Sequence, residues 1–132
     1  MRCLSIALAA IVTGCASASS STAAPLGAWG SSQGSLTVAD TTAQLLLANG
    51  SCYIVSGDIS GAIRIGQFSL PGIYTQRTGY APGHVQYPAT FSGTADPSVI
   101  SISILVPGLG TTLGPVSFAY GVTKSLTPCL LP

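Results

Sequence analysis

The stretch Val99-Ile100-Ser101-Ile102-Ser103-Ile104-Leu105-Val106 decides the fold. Ile100, Ile102, Ile104 and Val106 recur at every second residue, and Ser101 and Ser103 stand between them. A period of two describes a strand with one buried and one wet face, because successive side chains leave opposite sides of the pleat. A helix would need apolar spacings of three and four. Such alternation belongs to antiparallel sheets with one solvated face.

The same reading extends in both directions. After residue 106, Pro107-Gly108 breaks the strand, Gly108-Leu109-Gly110 supplies hairpin glycines, and Gly114-Pro115 opens a last strand with Val116, Phe118, Tyr120 and Val122 in phase. Before residue 99, Asp96-Pro97 ends a strand that places Tyr87, Ala89, Phe91 and Gly93 on one face, preceded by a long loop over residues 78–86. Pro71-Gly72 marks a turn or bulge between apolar segments at 67–70 and 73–77, and Asp58 beside Gly57 reads as a turn residue. Residues 42–48 and 52–56 flank Asn49-Gly50, the dipeptide best suited to a two-residue hairpin. About eight short strands with no helical period make the chain all-β: a small antiparallel meander closing into a barrel or a tight sandwich.

Composition narrows the function. Charged residues form 5% of the 132-residue chain, against about 25% in ordinary domains. Beyond the first 25 residues the bases are Arg64, Arg77 and Lys124 and the acids Asp40, Asp58 and Asp96, so the body is close to neutral. Nothing basic enough to hold a phosphate backbone is present, so no nucleic-acid partner is expected. A hydrophobic content of 47% excludes disorder of the whole.

The first residues carry an address. Met1 and Arg2 precede an apolar run over residues 3–12, too short for a bilayer span of about 20 residues. Val12-Thr13-Gly14-Cys15 follows directly and resembles the bacterial lipobox, in which the cysteine is lipidated and becomes the new N-terminus. The resemblance implies a lipoprotein signal peptide over 1–14, a lipid anchor on Cys15 and export to the cell envelope, in the outer membrane of a Gram-negative cell because residue 16 is Ala. Cleavage after Ala18, within Ala16-Ser17-Ala18, is the alternative. Residues 15–25 are mostly Ser, Ala and Thr and read as the lipidated terminus and a flexible tether, leaving 26–132 as one domain.

Two further likenesses rest on longer or rarer patterns. Gly27-Ala28-Trp29 resembles the Gly-x-Trp opening of calycin barrels such as lipocalins and avidins, which implies Trp29 as a barrel plug with Lys124 lying over its ring. Trp29-Gly30, Cys52, Pro71-Gly72-Ile73-Tyr74, Pro88-Ala89-Thr90-Phe91-Ser92-Gly93 and Pro128-Cys129-Leu130 together resemble small bacterial lipobox-bearing lipoproteins, a likeness that implies an address and no activity.

Removal of Cys3 with the leader and lipidation of Cys15 leave Cys52 and Cys129 to form a disulfide in an oxidising compartment, worth up to about 4 kcal/mol by loop closure. No Cys-x-x-Cys or His cluster suggests a metal, and no cofactor is expected. His84 is the lone histidine and lies in a Pro-Gly loop, while no Gly-x-Ser-x-Gly elbow occurs, so a hydrolase is the remote alternative and a non-enzyme the expectation. The predicted strands fall short of the about 9–11 residues of a membrane-spanning strand. Two binding modes remain. A protein-interaction or inhibitor-type module would use exposed loops with Arg77, Tyr80, His84 and Tyr87 as contacts. A calycin-like carrier would hold a small apolar ligand among Trp29, Phe91, Phe118 and Tyr120.

Overall fold

Ile100, Ile102, Ile104 and Val106 all face inward and are at most 1% exposed in the computed structural model, which describes residues 22–77 and 84–129. The strand that carries them is the seventh of a meander: β1 (Gly27–Ser31), β2 (Gly34–Val38), β3 (Thr42–Asn49), β4 (Cys52–Ser60), β5 (Gly66–Arg77), β6 (His84–Ala95), β7 (Val99–Val106) and β8 (Thr111–Tyr120). Each pairs antiparallel with its sequence neighbours, and β8 returns to β1, so the sheet closes into an eight-stranded barrel. A two-residue β9 (Thr127–Pro128) adds in parallel to the start of β4. No α-helix occurs among the described residues.

Closing eight strands into a barrel tilts them by about 35–45° to its axis. An eight-stranded barrel is just wide enough for side chains to fill. Here Trp29, Leu36, Leu45, Phe91, Ile100 and Val106 are 0% exposed, so no water-sized void touches them. The outward positions of β5 to β7 carry Gln67, Ser69, Ser92, Thr94, Ser101 and Ser103, the reverse of a barrel that turns its apolar face to lipid.

Interior packing revises several boundaries. Gly57-Asp58 is no turn but the middle of β4, and Pro71-Gly72 lies inside the continuous β5. Close approach from other strands accounts for both: a Cβ on Gly57 would stand 2.6 Å from Cε2 of Phe91, and one on Gly72 would run into the Asp58 carbonyl of β4 and stand 2.7 Å from Cε1 of Phe91. These glycines clear the space that Phe91 fills, a tertiary demand that local turn chemistry imitates. Gly114-Pro115 lies within β8 instead of opening it. The β7–β8 register shifts there, with Ile102 opposite Val116 and Ile104 opposite Leu113, and such a bulge accommodates a residue with no N–H to give the ladder.

Other corrections are smaller. The hairpin after β3 turns on Gly50-Ser51, one residue later than Asn49-Gly50, with Gly50 at φ 72° and Asn49 paired to Cys52. The loop after Arg77 closes at His84, so Val85 and Gln86 belong to β6. Val122 is past the end of β8 and packs back over Gly30. β5 and β6 are 12 residues each and β8 is 10, so strand length does not separate this barrel from a membrane-spanning one; the polarity of its two faces does.

Residues 22–25 lie against the barrel wall. Ala23 bridges Arg64, the Ala24 N–H donates to the Ile63 carbonyl at 2.9 Å, and Ala24 is 2% exposed. A small side chain there fits against the wall next to Ile63. The signal peptide and Cys15 lie outside the described residues.

Candidate functional site

Antiparallel alternation gives the barrel two ends. Its N-terminal rim gathers the start of β1, the turns at 39–41 and 96–98 and the end of β8. Its ribbon end gathers the turns at 32–33, 50–51 and 107–110 and the tip of the β5–β6 ribbon.

At the N-terminal rim Trp29 enters from β1 and its indole N–H donates to the Pro25 carbonyl at 3.0 Å. Its register partner on β8 is Tyr120, whose ring stands 5.0 Å away at 59°. The Tyr120 hydroxyl donates to the Leu26 carbonyl at 3.2 Å. Together with Gly121 N–H to Ala28 carbonyl at 2.9 Å, these contacts reinforce a seam in which β1 and β8 share two residue pairs, Trp29 with Tyr120 and Gly30 with Ala119. Trp29 is buried at this end of the barrel, and the ring set against it is that of Tyr120 and not the side chain of Lys124. Phe91 and Phe118 belong to the solid core, while Tyr120 is 47% exposed at the rim and lines no interior space.

At the ribbon end β5 and β6 hold Arg77 and His84 as direct cross-strand partners, so the two candidate contacts share one position at the base of the tip. Tyr80 lies outside the described residues. Tyr87 is no free contact: it is half-buried, its ring is 6.3 Å from Tyr74, and a Cβ on Gly108 would meet its Cδ2 at 2.8 Å. Burial and the neighbouring Tyr87 push the Tyr74 hydroxyl pKa up from its ordinary value. The Cys52–Cys129 disulfide forms as the sequence leads one to expect, with Cα atoms 4.8 Å apart, and the Cys129 N–H donates to the Tyr53 carbonyl at 3.0 Å. The C-terminal segment is therefore fastened to the start of β4.

The outer wall beside this end carries a feature that the sequence reading passed over. Ile73 pairs with Pro88, and Thr90 pairs with Pro71 on one side and Leu105 on the other. Ile73, Leu105 and Leu109 are 38%, 45% and 40% exposed, and Pro71, Pro88 and Pro107 are exposed beside them. A signal for it was present: Leu105 occupies the outward position where the Ser101, Ser103 alternation calls for a third polar residue.

The acids do not assemble into a catalytic pair. Asp40 sits in the turn after β2, Asp58 points outward from β4, and Asp96 caps the bend before β7. The Asp96 Oδ1 accepts the Ser98 N–H at 2.7 Å, the Ser98 hydroxyl at 2.9 Å and the Val99 N–H at 2.8 Å, and these bonds lower its pKa below the ordinary 3.8. Among the described residues no three His, Cys, Asp or Glu side chains come together. Two open hollows of about 490 and 340 Å³ lie on the wall, one along Gln67–Ser69 and Ser92–Thr94 and one where Asp58 stands among the hydroxyl side chains of Thr37, Thr42 and Ser60. No protein-family model matches the chain, and neither a curated protein nor a solved structure matches it.

Proposed function

We propose that this chain is a lipid-anchored envelope protein whose barrel binds another protein through its outer surface, without catalysis. The observation that carries the binding mode is the exposed apolar strip Ile73, Leu105 and Leu109, bordered by three prolines. Exposed large apolar side chains clustered beside the Ser- and Thr-bearing wall of β6 and β7 are the usual mark of an interaction site. Strands rigidify the strip and prolines lower the entropy lost on contact. The packed interior supports the outer-surface mode over ligand carriage, since Trp29, Phe91 and Phe118 enclose no water-sized space.

The anchoring half of the proposal rests on Val12-Thr13-Gly14-Cys15 after its apolar run. Photo-crosslinking residues placed at positions 73 and 105 in the native host test the binding half. The expected result is one discrete adduct of a second envelope protein from both sites, absent from position 37 and lost when Leu109→Ser accompanies the probe. Adducts of equal yield at all three positions, or at none, would defeat it.

A further inference from the structure

The four exposed large apolar side chains of the N-terminal rim form one connected patch. Val99 and Ala119 are register partners, Ala119 pairs in turn with Gly30, and Val122 lies over Gly30. Tyr120 adjoins through its backbone N–H bond to the Ser98 carbonyl and reaches Leu26 through its hydroxyl. Exposures are 48% for Leu26, 41% for Val99, 47% for Tyr120 and 44% for Val122. The strip at the ribbon end faces a different part of the surface, so the barrel carries two apolar patches toward opposite ends.

The rim patch has a neighbour fixed by chain length. The stretch from Cys15 to Thr22 spans at most about 25 Å even when fully extended, and residues 22–25 are already bound to the wall at this rim. A lipid on Cys15 therefore holds the patch, and not the ribbon end, beside the bilayer. From this juxtaposition we infer that Leu26, Val99, Tyr120 and Val122 dock on the surface of a phospholipid bilayer, setting the barrel upright with its ribbon end toward the envelope space. The inference rests on the lipid-anchor reading. A half-exposed tyrosine such as Tyr120, stacked on Trp29 on one side and with its hydroxyl at the exposed rim, suits the headgroup boundary, where apolar and wet surroundings meet. Tethering makes the contact intramolecular, so a patch too weak to bind alone remains engaged.

The test uses the full-length protein, extracted from membranes and reconstituted in phosphatidylcholine vesicles that contain a headgroup-nitroxide phospholipid. An environment-sensitive fluorescent residue replaces Val122 in one sample and Leu109 in another. Docking predicts quenching several-fold stronger at 122 than at 109, falling to the level of 109 when Leu26→Ser and Val99→Ser are added, with the thermal transition checked to show that the variant remains folded. Equal, weak quenching at both positions in protein whose mass shows lipid on Cys15 would overturn docking and leave the anchor standing. Quenching at 122 that rises with protein-to-lipid ratio would also overturn it, in favour of self-association. A mass without lipid on Cys15 would remove the anchor and the inference together.

Discussion

The two ends of the barrel are closed by different chemistry. At the N-terminal rim closure is made by packing and hydrogen bonds: Trp29 against Tyr120, the indole N–H on Pro25, the Tyr120 hydroxyl on Leu26. At the ribbon end it is covalent, through Cys52–Cys129, and aromatic, through Tyr74, Tyr87 and the Gly108 turn. Asp40, Asp96 and Arg64 belong to the first end, while Arg77 and His84 belong to the second. The difference teaches that a neutral, weakly charged chain can still be polar in its architecture, with one end built around the incoming N-terminus and the other left to present a surface.

Perturbing each end separately breaks this comparison in graded ways. Trp29→Ala should cost about 3–5 kcal/mol in urea unfolding, because it empties a fully buried aromatic site. Amide exchange should quicken around residues 24–30 before it does at β4 to β7. Replacing both Cys52 and Cys129 by Ser should cost up to about 4 kcal/mol through loss of loop closure. There the exchange of Cys129 and of the start of β4 should quicken while the near-ultraviolet signal of Trp29 holds. Between the ends, Gly57→Ala drives a methyl into the Phe91 ring and should cost about 1–3 kcal/mol, recovered in part by Phe91→Leu. Tyr120→Phe, which removes one exposed hydrogen bond at the seam, should cost about 1 kcal/mol or less.

The ends should also part in their pH response. Asp96 has a folded-state pKa below its unfolded value, so its contribution is present above about pH 4 and is lost as pH falls through the folded value. Asp96→Asn should flatten the acid limb of the stability curve. Tyr74 has a raised folded-state pKa, so its contribution is complete below about pH 10 and is lost as pH rises through the folded value. Tyr74→Phe should flatten the alkaline limb and leave the acid limb unchanged.

How much of this was legible follows from where each signal resides. The inward faces of β6 and β7 are written in local alternation, and the Cys52–Cys129 bond follows from the expectation that Cys3 leaves with a leader and Cys15 takes a lipid, so both were readable. The roles of Gly57 and Gly72 were not, because they are set by Phe91 and the Asp58 carbonyl on other strands, and beside Asp58 or Pro71 a glycine looks like a turn. Lys124 seemed placed to cover Trp29 by its distance from the C-terminus, but strand register gives that position to Tyr120. The ribbon strip was hidden for a related reason: Pro71, Ile73, Pro88 and Leu105 are dispersed in sequence and meet only when β5, β6 and β7 pair.

A packed interior and the proposed binding through the outer surface leave no place for a ligand inside the barrel. Native mass spectrometry of the protein extracted from its host tests this most directly. The account predicts the polypeptide with the lipid of Cys15 and one disulfide, and no apolar molecule bound inside. A stoichiometric small ligand that accompanies the wild type and is lost from Phe91→Ala would contradict it.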